Sequence, residues 1–564
     1  MSVAFWAARK RQKKNPRLEF QLKDPNTFLF KTRYISDADQ SPLATFTKII
    51  RCNYEVSKEQ LPELMTIAAK SGWEVVPLPD YVEEALKYDL NKPFDETFKD
   101  SEIWQKMFDF QKEGVRMVVT KFDGKALIAD EMGLGKTLQA IAVAKYYKHN
   151  RVLVVCPAYL RYNWCTEIKK WLGEHTNTVM INKGSDEIPD EDGYIITSYE
   201  LATKKKDDLK KLQYEMAICD ESHYLKGHRT KRTKGLTPVL KKMKHVILLT
   251  GTPALNRPCE LYPQAHIIQP QFFKKWKTYT ERYCNGQMSP LGFYDFSGRS
   301  NQSELTWLSR KTVMIRRVKR DVLTDLPPKL RTQIYLPTPY GKSKKLKPFF
   351  EEWKDINKKI RTMVPCSAEI KKAGFRRKCI ISKLFMMSAE AKISAVQQYI
   401  KDMVAQDINF IIFAYHMEFM DHICETLDSL DTTYMRIDGS TPSKKRNENV
   451  EAFQNKQVKV AVLSLGAAST GLTLTACSTL IFSELYYVPG TILQAEDRIH
   501  RVSQKNQCDI RYLIAKDTLD EHIYKMLKFK LETLDKMLDG RADRTLDGNV
   551  VMEGLCDMED TINT

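Results

Sequence analysis

Two separate stretches of the sequence alternate short apolar segments with longer amphipathic ones. The first stretch begins near residue 103 and the second near residue 393. This alternation is typical of parallel β-sheets that are covered by helices on both faces. It predicts an α/β fold with two lobes, joined by a helical and basic middle. The expected strands are 125–129, 151–156, 194–198, 216–219 and 245–250 in the first lobe, and 409–414, 433–437, 458–463, 479–483 and 509–514 in the second.

The rest of the chain divides around these lobes. Residues 1–95 combine a basic tail with a small α+β accessory module, in which 46–52 is strand-like and 58–70 is helix-like. The last segment is rich in acidic residues, and we expect a flexible tail there. The predicted domains are the accessory module at 1–95, the first lobe with a helical protrusion at 96–335, a helical basic linker at 336–390, the second lobe at 391–538 and the tail at 539–564.

The charge balance favours a polyanionic partner. The chain carries 89 Lys and Arg against 71 Asp and Glu, a formal net charge of +18. Nucleic acid is the first candidate, although a basic soluble protein without such a partner has a similar composition. We find no apolar run long enough to span a membrane and no secretory signal, so we expect no membrane partner. The basic run at 9–14 is typical of a nuclear targeting signal, and equally of a solvated tail.

The cysteines and histidines do not follow metal-binding spacings. The 12 cysteines include no C-x2-C pair, and the 10 histidines include no H-x3-H or H-E-x-x-H pair. Zinc fingers and zinc ribbons need such pairs, so we expect no zinc. We expect reduced, buried thiols.

A glycine-rich turn follows the first predicted strand. Residues 130–137 read DEMGLGKT and lead into helix formers. A strand, such a turn and a helix form the context of a phosphate-binding loop, whose backbone N–H groups hold phosphate oxygens. Lys136 would bind the β and γ phosphates of ATP, and the Thr137 hydroxyl would bind Mg²⁺. The predicted ATP-binding residues in this loop are Asp130, Gly133, Leu134, Gly135, Lys136 and Thr137, although Asp130 stands where the general pattern has glycine.

Two adjacent carboxylates end a later strand, in the sequence Asp220-Glu221-Ser222-His223. The carboxyl ends of parallel strands border the crevice in which α/β sheets bind ligands. Asp220 can hold Mg²⁺, and Glu221 can act as general base for the attacking water. Alone, this pair could simply begin the next helix. The Leu-Thr-Gly-Thr-Pro sequence at 249–253 could sense the γ phosphate or form only a turn.

The second lobe carries its own candidate residues. The segment 494–501 looks helical, and its spacing places Gln494, Arg498 and Arg501 on one face. Arginines presented across a cleft suit a γ phosphate whose charge develops during transfer. Further upstream, Ser464, Thr470 and Gly471 belong to a small, polar segment through which the backbone could approach phosphates closely.

Three basic clusters predict a surface that follows the DNA backbone. Phosphate contacts position a protein without reading sequence, so we expect binding that is salt-sensitive and not sequence-specific. Each cluster alone could be an ordinary solvated face. The first comprises Lys226, Arg229, Lys231, Arg232, Lys234, Lys241, Lys242 and Lys244, the second Arg310, Lys311, Arg316, Arg317, Lys319 and Arg320, and the third Lys371, Lys372, Arg376, Arg377 and Lys378.

In their order and combination these motifs resemble the Swi/Snf-type ATPases of helicase superfamily two. The likeness spans about 104–527 and includes RIDGST at 436–441, the STGLTL run at 469–474 and QAEDRIHR at 494–501. It implies two RecA-like lobes with ATP between them, and the Asp at position 130 fits this family. The resemblance also implies an adenine-reading role for Gln111 and DNA contacts by Arg161, Trp164 and Ser198.

Four further segments resemble the HARP-type annealing-helicase branch, namely 254–263, 314–323, 326–329 and 482–490. That branch remodels stalled forks and rewinds melted duplex, which implies a translocating ATPase acting on double-stranded or branched DNA. The 40–80 segment is only loosely similar to the branch's small DNA-binding module, and we see no zinc finger or nuclease segment after the motor.

Other functions remain open at this point. They are a nucleosome remodeller, a strand-separating helicase and an inactive nucleic-acid-binding scaffold. Intact Lys136, Asp220, Glu221 and Arg501 argue against the scaffold. We expect a monomer that is nuclear in a eukaryote and otherwise cytoplasmic, with replication or repair proteins as further candidate partners.

Overall fold

The structure, a computed structural model, describes residues 16–33, 42–50, 53–212, 214–254, 257–289, 292–323, 326–362, 368–466, 472–501 and 504–539. These residues form a small α+β module followed by two lobes, each with a parallel sheet and surrounding helices. The predicted fold class is therefore confirmed. The basic run at 9–14 and nearly all of the acidic tail lie outside the described residues.

The N-terminal module is built on a five-stranded sheet. Apolar side chains of the first strand, Leu18, Phe20 and Leu22, alternate inward and are buried, as the two-residue period of a strand requires. The long hairpin formed by the first two strands was not predicted from the sequence. The elements are β1 (Arg17–Asp24), β2 (Thr27–Arg33), β3 (Thr47–Ile50), β4 (Asn53–Ser57), α1 (Leu61–Lys70), β5 (Glu74–Val76) and α2 (Asp80–Lys87), in the sheet order β3-β4-β2-β1-β5.

The first lobe contains a seven-stranded parallel sheet in the order β14-β6-β11-β10-β7-β9-β8. Its central strands are buried along their whole length, which explains their unbroken apolar sequences. All five predicted strands are present, and two short edge strands, β8 and β14, were missed. The strands are β6 (Lys125–Ile128), β7 (Arg151–Cys156), β8 (Thr178–Met180), β9 (Gly193–Ser198), β10 (Met216–Asp220), β11 (His245–Leu249) and β14 (Met314–Ile315).

Helices cover both faces of this sheet and continue into an insertion before β14. The insertion also contains a small hairpin, β12 (Gln287–Met288) and β13 (Tyr294–Asp295). The helices are α3 (Glu102–Gln105), α4 (Asp109–Thr120), α5 (Lys136–Tyr146), α6 (Arg161–Leu172), α7 (Tyr199–Lys204), α8 (Lys206–Lys211), α9 (Lys231–Lys242), α10 (Tyr262–Ile268), α11 (Trp276–Tyr283), α12 (Gln302–Thr312) and α13 (Lys319–Val322).

The second lobe contains a six-stranded parallel sheet in the order β15-β20-β19-β16-β18-β17. Its five predicted strands are present. The strands are β15 (Lys329–Leu336), β16 (Phe410–Ala414), β17 (Tyr434–Ile437), β18 (Val460–Ser464), β19 (Thr479–Phe482) and β20 (Cys508–Ala515), and the helices are α14 (Tyr340–Thr362), α15 (Ala368–Ala405), α16 (Met417–Asp428), α17 (Ser443–Gln454), α18 (Pro489–Glu496) and α19 (Leu519–Asp539).

The predicted boundary between the lobes at residue 335 is wrong. Strand β15 pairs with β20 along its whole length, from Lys329 beside Cys508 to Leu336 beside Ala515. It therefore belongs to the second lobe. The segment predicted as a linker, 336–390, consists mainly of α14 and the first part of α15, whose side chains contribute to the core of the second lobe.

A buried carboxylate fastens the N-terminal module to the first lobe. Glu304, at the start of α12, is fully buried and accepts the backbone N–H of Leu22 in β1 at 3.0 Å. It also accepts Nε of Arg282 at 2.9 Å and the hydroxyl of Tyr283 at 2.9 Å. Arg282 in turn donates to the backbone oxygen of Phe20 at 2.9 Å. One ion pair thus holds the edge of the module against the helical insertion.

Replacing Glu304 by alanine should loosen the module. The change leaves the Arg282 guanidinium buried without its carboxylate, which costs about 3 kcal/mol. We expect amide hydrogen exchange in β1 and β2 to accelerate about 100-fold, as measured by mass spectrometry. Glu55→Ala, which breaks an exposed pair with Lys23 in the same module, should change exchange by less than about fivefold. Unchanged exchange in Glu304→Ala would show that the module is held by other contacts.

Candidate functional site

The phosphate loop lies between β6 and α5, at the carboxyl edge of the first sheet. Gly133 and Gly135 have φ angles of 86° and 72°, in the left-handed region that favours glycine. A Cβ atom on Gly135 would lie 2.3 Å from Nε2 of Gln111. That amide donates to the backbone oxygen of Leu134 at 3.1 Å. Gln111 therefore lies against the loop, while its adenine-reading role stays a prediction.

Lys136 begins α5 and folds over the loop. Its Nζ donates to the backbone oxygens of Asp130 at 2.9 Å and Glu131 at 3.3 Å. Burial lowers the pKa of Lys136, while the charges of Glu221, Asp130 and Asp220 oppose that shift. An anionic phosphate beside this ammonium group would favour its charged form. Thr137 follows on the first turn of the same helix.

The Asp130 carboxylate is bonded to side chains within the first lobe. Its carboxylate is fully buried and accepts Nε of Arg317 at 3.0 Å, Nη2 of Arg317 at 2.7 Å and Nε2 of Gln139 at 3.0 Å. These bonds occupy the carboxylate, so the prediction that its side chain binds nucleotide is not supported by the contacts. Asp130 instead ties the phosphate loop to the segment that follows β14.

The two carboxylates at the end of β10 are held from behind. Trp164 donates its indole N–H to Oδ2 of Asp220 at 2.9 Å, and the hydroxyl of Tyr199 donates to the Asp220 backbone oxygen at 2.8 Å. Burial and the neighbouring Glu221 raise the pKa of Asp220. Glu221 adopts the left-handed conformation, with φ of 49°. This turn places both acidic residues at the carboxyl edge of the sheet.

Glu221 lies beside a histidine and near two cationic side chains. Burial alone would raise its pKa, but His223, Lys136 and Arg498 outweigh burial and lower it. Nδ1 of His223 lies 3.1 Å from Oε2 of Glu221. The carboxylate is thereby kept ionised, which is the form a general base needs.

Polar contacts continue from Glu221 across the cleft. Nδ1 of His223 also lies 3.4 Å from the hydroxyl of Thr250, which accepts the backbone N–H of Thr252 at 3.2 Å. The Thr252 hydroxyl accepts Nε2 of Gln494, in the second lobe, at 3.3 Å. The 249–253 segment therefore lies between the Glu221 carboxylate and the second lobe.

The second lobe presents its arginines on a turn. Helix α18 ends at Glu496, so the predicted helix over 494–501 is only partly correct. Arg501 Nε donates to the Asp497 backbone oxygen at 3.1 Å, and its Nη1 donates to the Thr473 hydroxyl at 2.5 Å. Burial and the neighbouring Arg498 lower the pKa of Arg501 to about 9. This crowding of positive charge suits an anion.

The arginines face the phosphate loop. A Cβ atom on Gly133 would lie 3.6 Å from Cγ of Arg501, and Arg498 is close enough to Glu221 for that carboxylate to oppose the lowering of its pKa. The predicted catalytic residues Lys136, Asp220, Glu221, Gln494, Arg498 and Arg501 therefore border one cleft between the lobes.

The predicted DNA-contacting residues do not form one surface. Trp164 and Ser198 are buried, and the Ser198 hydroxyl caps α7, so these two side chains do not lie on the surface of this structure and their DNA contacts stay a prediction. Ser464 is buried as well. The guanidinium of Arg161 donates to the backbone oxygens of Ala158 and Ile181. Of the remaining candidates, Lys226 contacts Glu260, Arg229 is exposed, and Thr470 and Gly471 lie outside the described residues.

The basic clusters divide between surface and interior. Around α9, Arg229, Lys231, Lys234, Lys242 and Lys244 are exposed, as a phosphate-following surface requires. In the second cluster, Arg316 and Lys319 are buried and Arg317 is mostly buried, so these three are wrong as DNA contacts. In the third cluster Arg376 pairs with Glu352, and Arg377 is buried. The charges in the sequence alone did not distinguish basic side chains on a DNA-binding surface from basic side chains in the protein interior.

The site offers donors that fit Mg²⁺. This ion is usually held by one or two carboxylates together with substrate phosphates and water. Asp220 provides such a carboxylate, and Thr137 provides a hydroxyl on the first turn of helix α5. Elsewhere, the structure's described ranges contain no group of three or more His, Cys, Asp or Glu side chains placed to hold a metal ion. They also contain no helix that is both long and apolar enough to cross a membrane.

Comparison with known proteins agrees with this arrangement. The SNF2-related domain matches residues 110–383, and the helicase conserved C-terminal domain matches residues 391–503. A Caenorhabditis elegans homolog of the SWI/SNF-related matrix-associated actin-dependent regulator of chromatin subfamily A-like protein 1 is 36% identical over 84% of this chain and 67% of its own length. The chain belongs to the SNF2-related family.

Two other SNF2-related relatives carry the name DNA annealing helicase and endonuclease ZRANB3. The cattle protein is 39% identical over 79% of this chain and 42% of its own length. The human protein is 40% identical over 78% of this chain and 41% of its own length. This chain therefore spans about two fifths of those relatives. The SWI2/SNF2 ATPase core of Sulfolobus solfataricus in complex with dsDNA is 24% identical, covers 81% of this chain and 96% of its own, and has a TM-score of 0.36, so no conclusion about this chain rests on it.

A double-mutant cycle tests the role of Asp130. We expect Asp130→Asn and Arg317→Met each to destabilise the first lobe, and the double variant to be no worse than the worse single one. The coupling should be about 2–3 kcal/mol, because each change removes the same buried pair. Protection of β6 amides from hydrogen exchange measures it. The exposed pair Arg376–Glu352 is the matched control, with coupling below about 1 kcal/mol.

Nucleotide affinity provides the contrary outcome. If Asp130→Asn bound an ATP analogue more than tenfold less tightly while its β6 protection stayed unchanged, the carboxylate would be a nucleotide ligand, as first predicted.

Proposed function

We propose that the protein is a DNA-dependent ATPase that moves along double-stranded DNA and anneals or remodels branched DNA during replication-fork repair. The observation that carries this proposal is the meeting of Gly133 and Arg501 across the cleft. A nucleotide bound to the phosphate loop would be touched by both lobes. Its hydrolysis would therefore change how the lobes hold each other.

The residues of the cleft divide the chemistry among them. Lys136 binds the β and γ phosphates from the first lobe, and Gln111 contacts the base. Glu221, kept ionised by its cationic neighbours, orients the attacking water and accepts its proton. Arg498 and Arg501 stabilise the negative charge that develops on the transferred phosphoryl group, an effect worth about 10³–10⁵ in rate for such arginines.

Asp220 and Thr137 are the residues proposed to hold Mg²⁺. The ion, when bound, would supply positive charge beside the phosphate oxygens. Trp164 fixes the orientation of the Asp220 carboxylate through the 2.9 Å hydrogen bond from its indole. Such outer contacts often determine metal affinity.

The contacts from His223 through Thr250 and Thr252 to Gln494 connect the hydrolysis site with the second lobe. ATP favours the closed arrangement because its phosphates attract residues of both lobes, and hydrolysis removes that preference. Each cycle would shift the DNA grip of one lobe relative to the other. The exposed lysines and arginines around α9 are the proposed grip of the first lobe.

The proposed substrate follows from the relatives. Proteins named DNA annealing helicase and endonuclease ZRANB3 are similar to this chain over 78–79% of its length, which favours forked or branched DNA. Their eukaryotic origin favours a nuclear location. We also propose that the motor acts as a monomer and meets replication or repair proteins at the fork. Nucleosome remodelling is a second candidate, because other relatives are named SWI/SNF-related regulators of chromatin.

The decisive experiment compares ATP hydrolysis on single-stranded, duplex, forked and nucleosomal DNA, followed by a strand-annealing assay. We expect the fork to stimulate hydrolysis most and melted duplex to be rewound. Lys136→Ala and Glu221→Gln should each lower kcat at least about 100-fold, because each removes a group that acts on the phosphates or the water. Fork affinity should stay within about threefold in both variants.

Controls decide between outcomes. Glu215→Gln, an exposed acidic residue paired with His149 at the opposite edge of the sheet, should keep full activity. DNA affinity should fall about 10³-fold between 50 and 200 mM salt if about six phosphates are contacted. Normal hydrolysis in Glu221→Gln would refute the site, and stronger stimulation by nucleosomes than by forks would favour a remodeller.

Replacing Trp164 by phenylalanine should weaken the metal site alone. The change keeps an apolar ring but removes the hydrogen bond to Asp220, so the Mg²⁺ concentration for half-maximal hydrolysis should rise about tenfold. Trp171→Phe is the matched control, since that indole, on the same helix α6, donates to Glu167 instead. An unchanged Mg²⁺ requirement in Trp164→Phe would contradict the role of Asp220.

A further inference from the structure

The chain passes from one lobe to the other between β14 and β15, and we name the described residues of this stretch, 316–323 and 326–328, the connector. It begins where β14 ends and finishes where β15 begins. The start of the connector is fixed to the first lobe. Arg316 donates to the backbone oxygens of Ala129 at 2.8 Å and Gly251 at 2.9 Å. The connector therefore starts against the end of β6 and the 249–253 segment, which border the proposed nucleotide site.

Lys319 is fastened to both lobes at once. Its backbone N–H donates to Oε2 of Glu131, in the phosphate loop, at 2.7 Å. Its side chain extends the other way and places Nζ 3.0 Å from Oδ1 of Asp497, beyond the end of α18. Nζ also donates to the backbone oxygen of His500. Only 2% of Lys319 is exposed, so this bridge is shielded from solvent.

Asp497 links the bridge to the arginines. Its backbone oxygen accepts Nε of Arg501 at 3.1 Å, and its carboxylate also accepts Nζ of Lys329 at 3.0 Å. A Cβ atom on Gly133 would lie 3.6 Å from Cε of Lys319 and 3.6 Å from Cγ of Arg501. The lysine stem, the arginine stem and the phosphate loop therefore meet at one point.

We propose that Lys319 is a positioning residue for the hydrolysis reaction, which sets the distance between the phosphate loop and the Arg498–Arg501 turn through Asp497. This inference rests on the proposed ATPase function. Lys319 does not itself touch the reacting atoms in this account. It holds the turn at the distance from the phosphate loop at which the arginines reach the terminal phosphate.

The charge arrangement favours this role over simple stabilisation. Burying an ion pair contributes little net stability, because desolvation offsets the attraction, but breaking one partner leaves a buried charge. Burial lowers the pKa of Lys319, while Asp497 opposes that effect. Lys319 reaches Asp497 only when the lobes are together, so this pair favours the closed arrangement, while Asp497 also keeps Lys329 of its own lobe as a partner. Misplacing a catalytic group by about 1 Å can cost about 100-fold in rate.

The test replaces Lys319 by methionine, which keeps the stem and removes the charge. We expect kcat for fork-stimulated ATP hydrolysis to fall about 100-fold, while KM for ATP changes less than threefold, because the first lobe still binds nucleotide. Lys319→Arg should recover at least a tenth of the wild-type kcat. Asp497→Asn, which keeps the shape of its partner, should reproduce the loss.

Lys392→Met is the matched control. Lys392 pairs with Asp520 at 2.7 Å, and both side chains are as deeply buried as the Lys319 pair, but they lie within the second lobe. Its loss should lower thermal stability to a similar degree and leave kcat within threefold of wild type for the folded fraction. A purely structural role of Lys319 predicts the same behaviour in both variants.

A distance measurement separates position from chemistry. Fluorophores introduced through unnatural amino acids at the exposed positions Ser185 and Gln457 report the separation of the lobes, without labelling the exposed Cys379. With a non-hydrolysable ATP analogue and fork DNA, we expect a single short distance in the wild type and a broad distribution in Lys319→Met. The Lys392→Met variant should resemble the wild type.

The outcomes are distinguishable. An inactive wild type would refute the proposed function rather than the bridge. An active wild type with unchanged kcat and unchanged distances in Lys319→Met and Asp497→Asn would overturn the inference. Should Lys319→Met fail to fold, Lys319→Arg and Asp497→Asn still decide it, because full activity in Asp497→Asn is incompatible with the bridge.

Discussion

The contact between the phosphate loop and the Arg498–Arg501 turn is the interaction on which the rest of the structure depends. The loop lies at the carboxyl edge of the first sheet and the turn belongs to the second lobe, so the contact between them defines the cleft. Burial depresses the pKa values of Lys136, Arg498 and Arg501, and the carboxylates of Asp220 and Glu221 only partly oppose this. A polyphosphate placed among these groups would favour their charged forms.

The elements of the fold were largely predictable because parallel sheets leave a strong pattern. Buried strands have unbroken apolar sequences, and the polar motifs follow directly after them. The place of strand β15 in the second lobe was not predicted, because its partner, β20, is remote in sequence. Nothing local distinguishes β15 from the end of the first lobe. The helix predicted over 494–501 is shorter in the structure than in the prediction. The prediction was too long because the periodic spacing of the sequence continues through a turn that keeps helix-like hydrogen bonds.

The site was predictable as a set of residues but not as a set of roles. A sequence displays charge without displaying burial, so Arg317 and Lys319 looked like DNA contacts when they are bound to Asp130 and Asp497. Trp164 was expected on the DNA surface and instead supports Asp220. One signal was present, because an aspartate in place of a loop glycine needs a buried cation, and the basic run after 314 supplies it.

The insertion before β14 connects the two lobes with the N-terminal module. Helix α12 contributes Glu304 to the module, and the guanidinium of Arg299, just before this helix, lies 3.9 Å from the ring centroid of Phe529 in α19 of the second lobe. The module, the first lobe and the second lobe therefore meet around one helix. Movement of the second lobe would change the contacts at α12 as well as those in the cleft.

The most direct measurement is a structure of the Glu221→Gln variant with ATP, Mg²⁺ and forked DNA. We expect Nζ of Lys136 and a guanidinium nitrogen of Arg501 both to lie within hydrogen-bonding distance of the terminal phosphate. A terminal phosphate contacted by the first lobe alone, with Arg501 turned toward solvent in the DNA-bound complex, would contradict it.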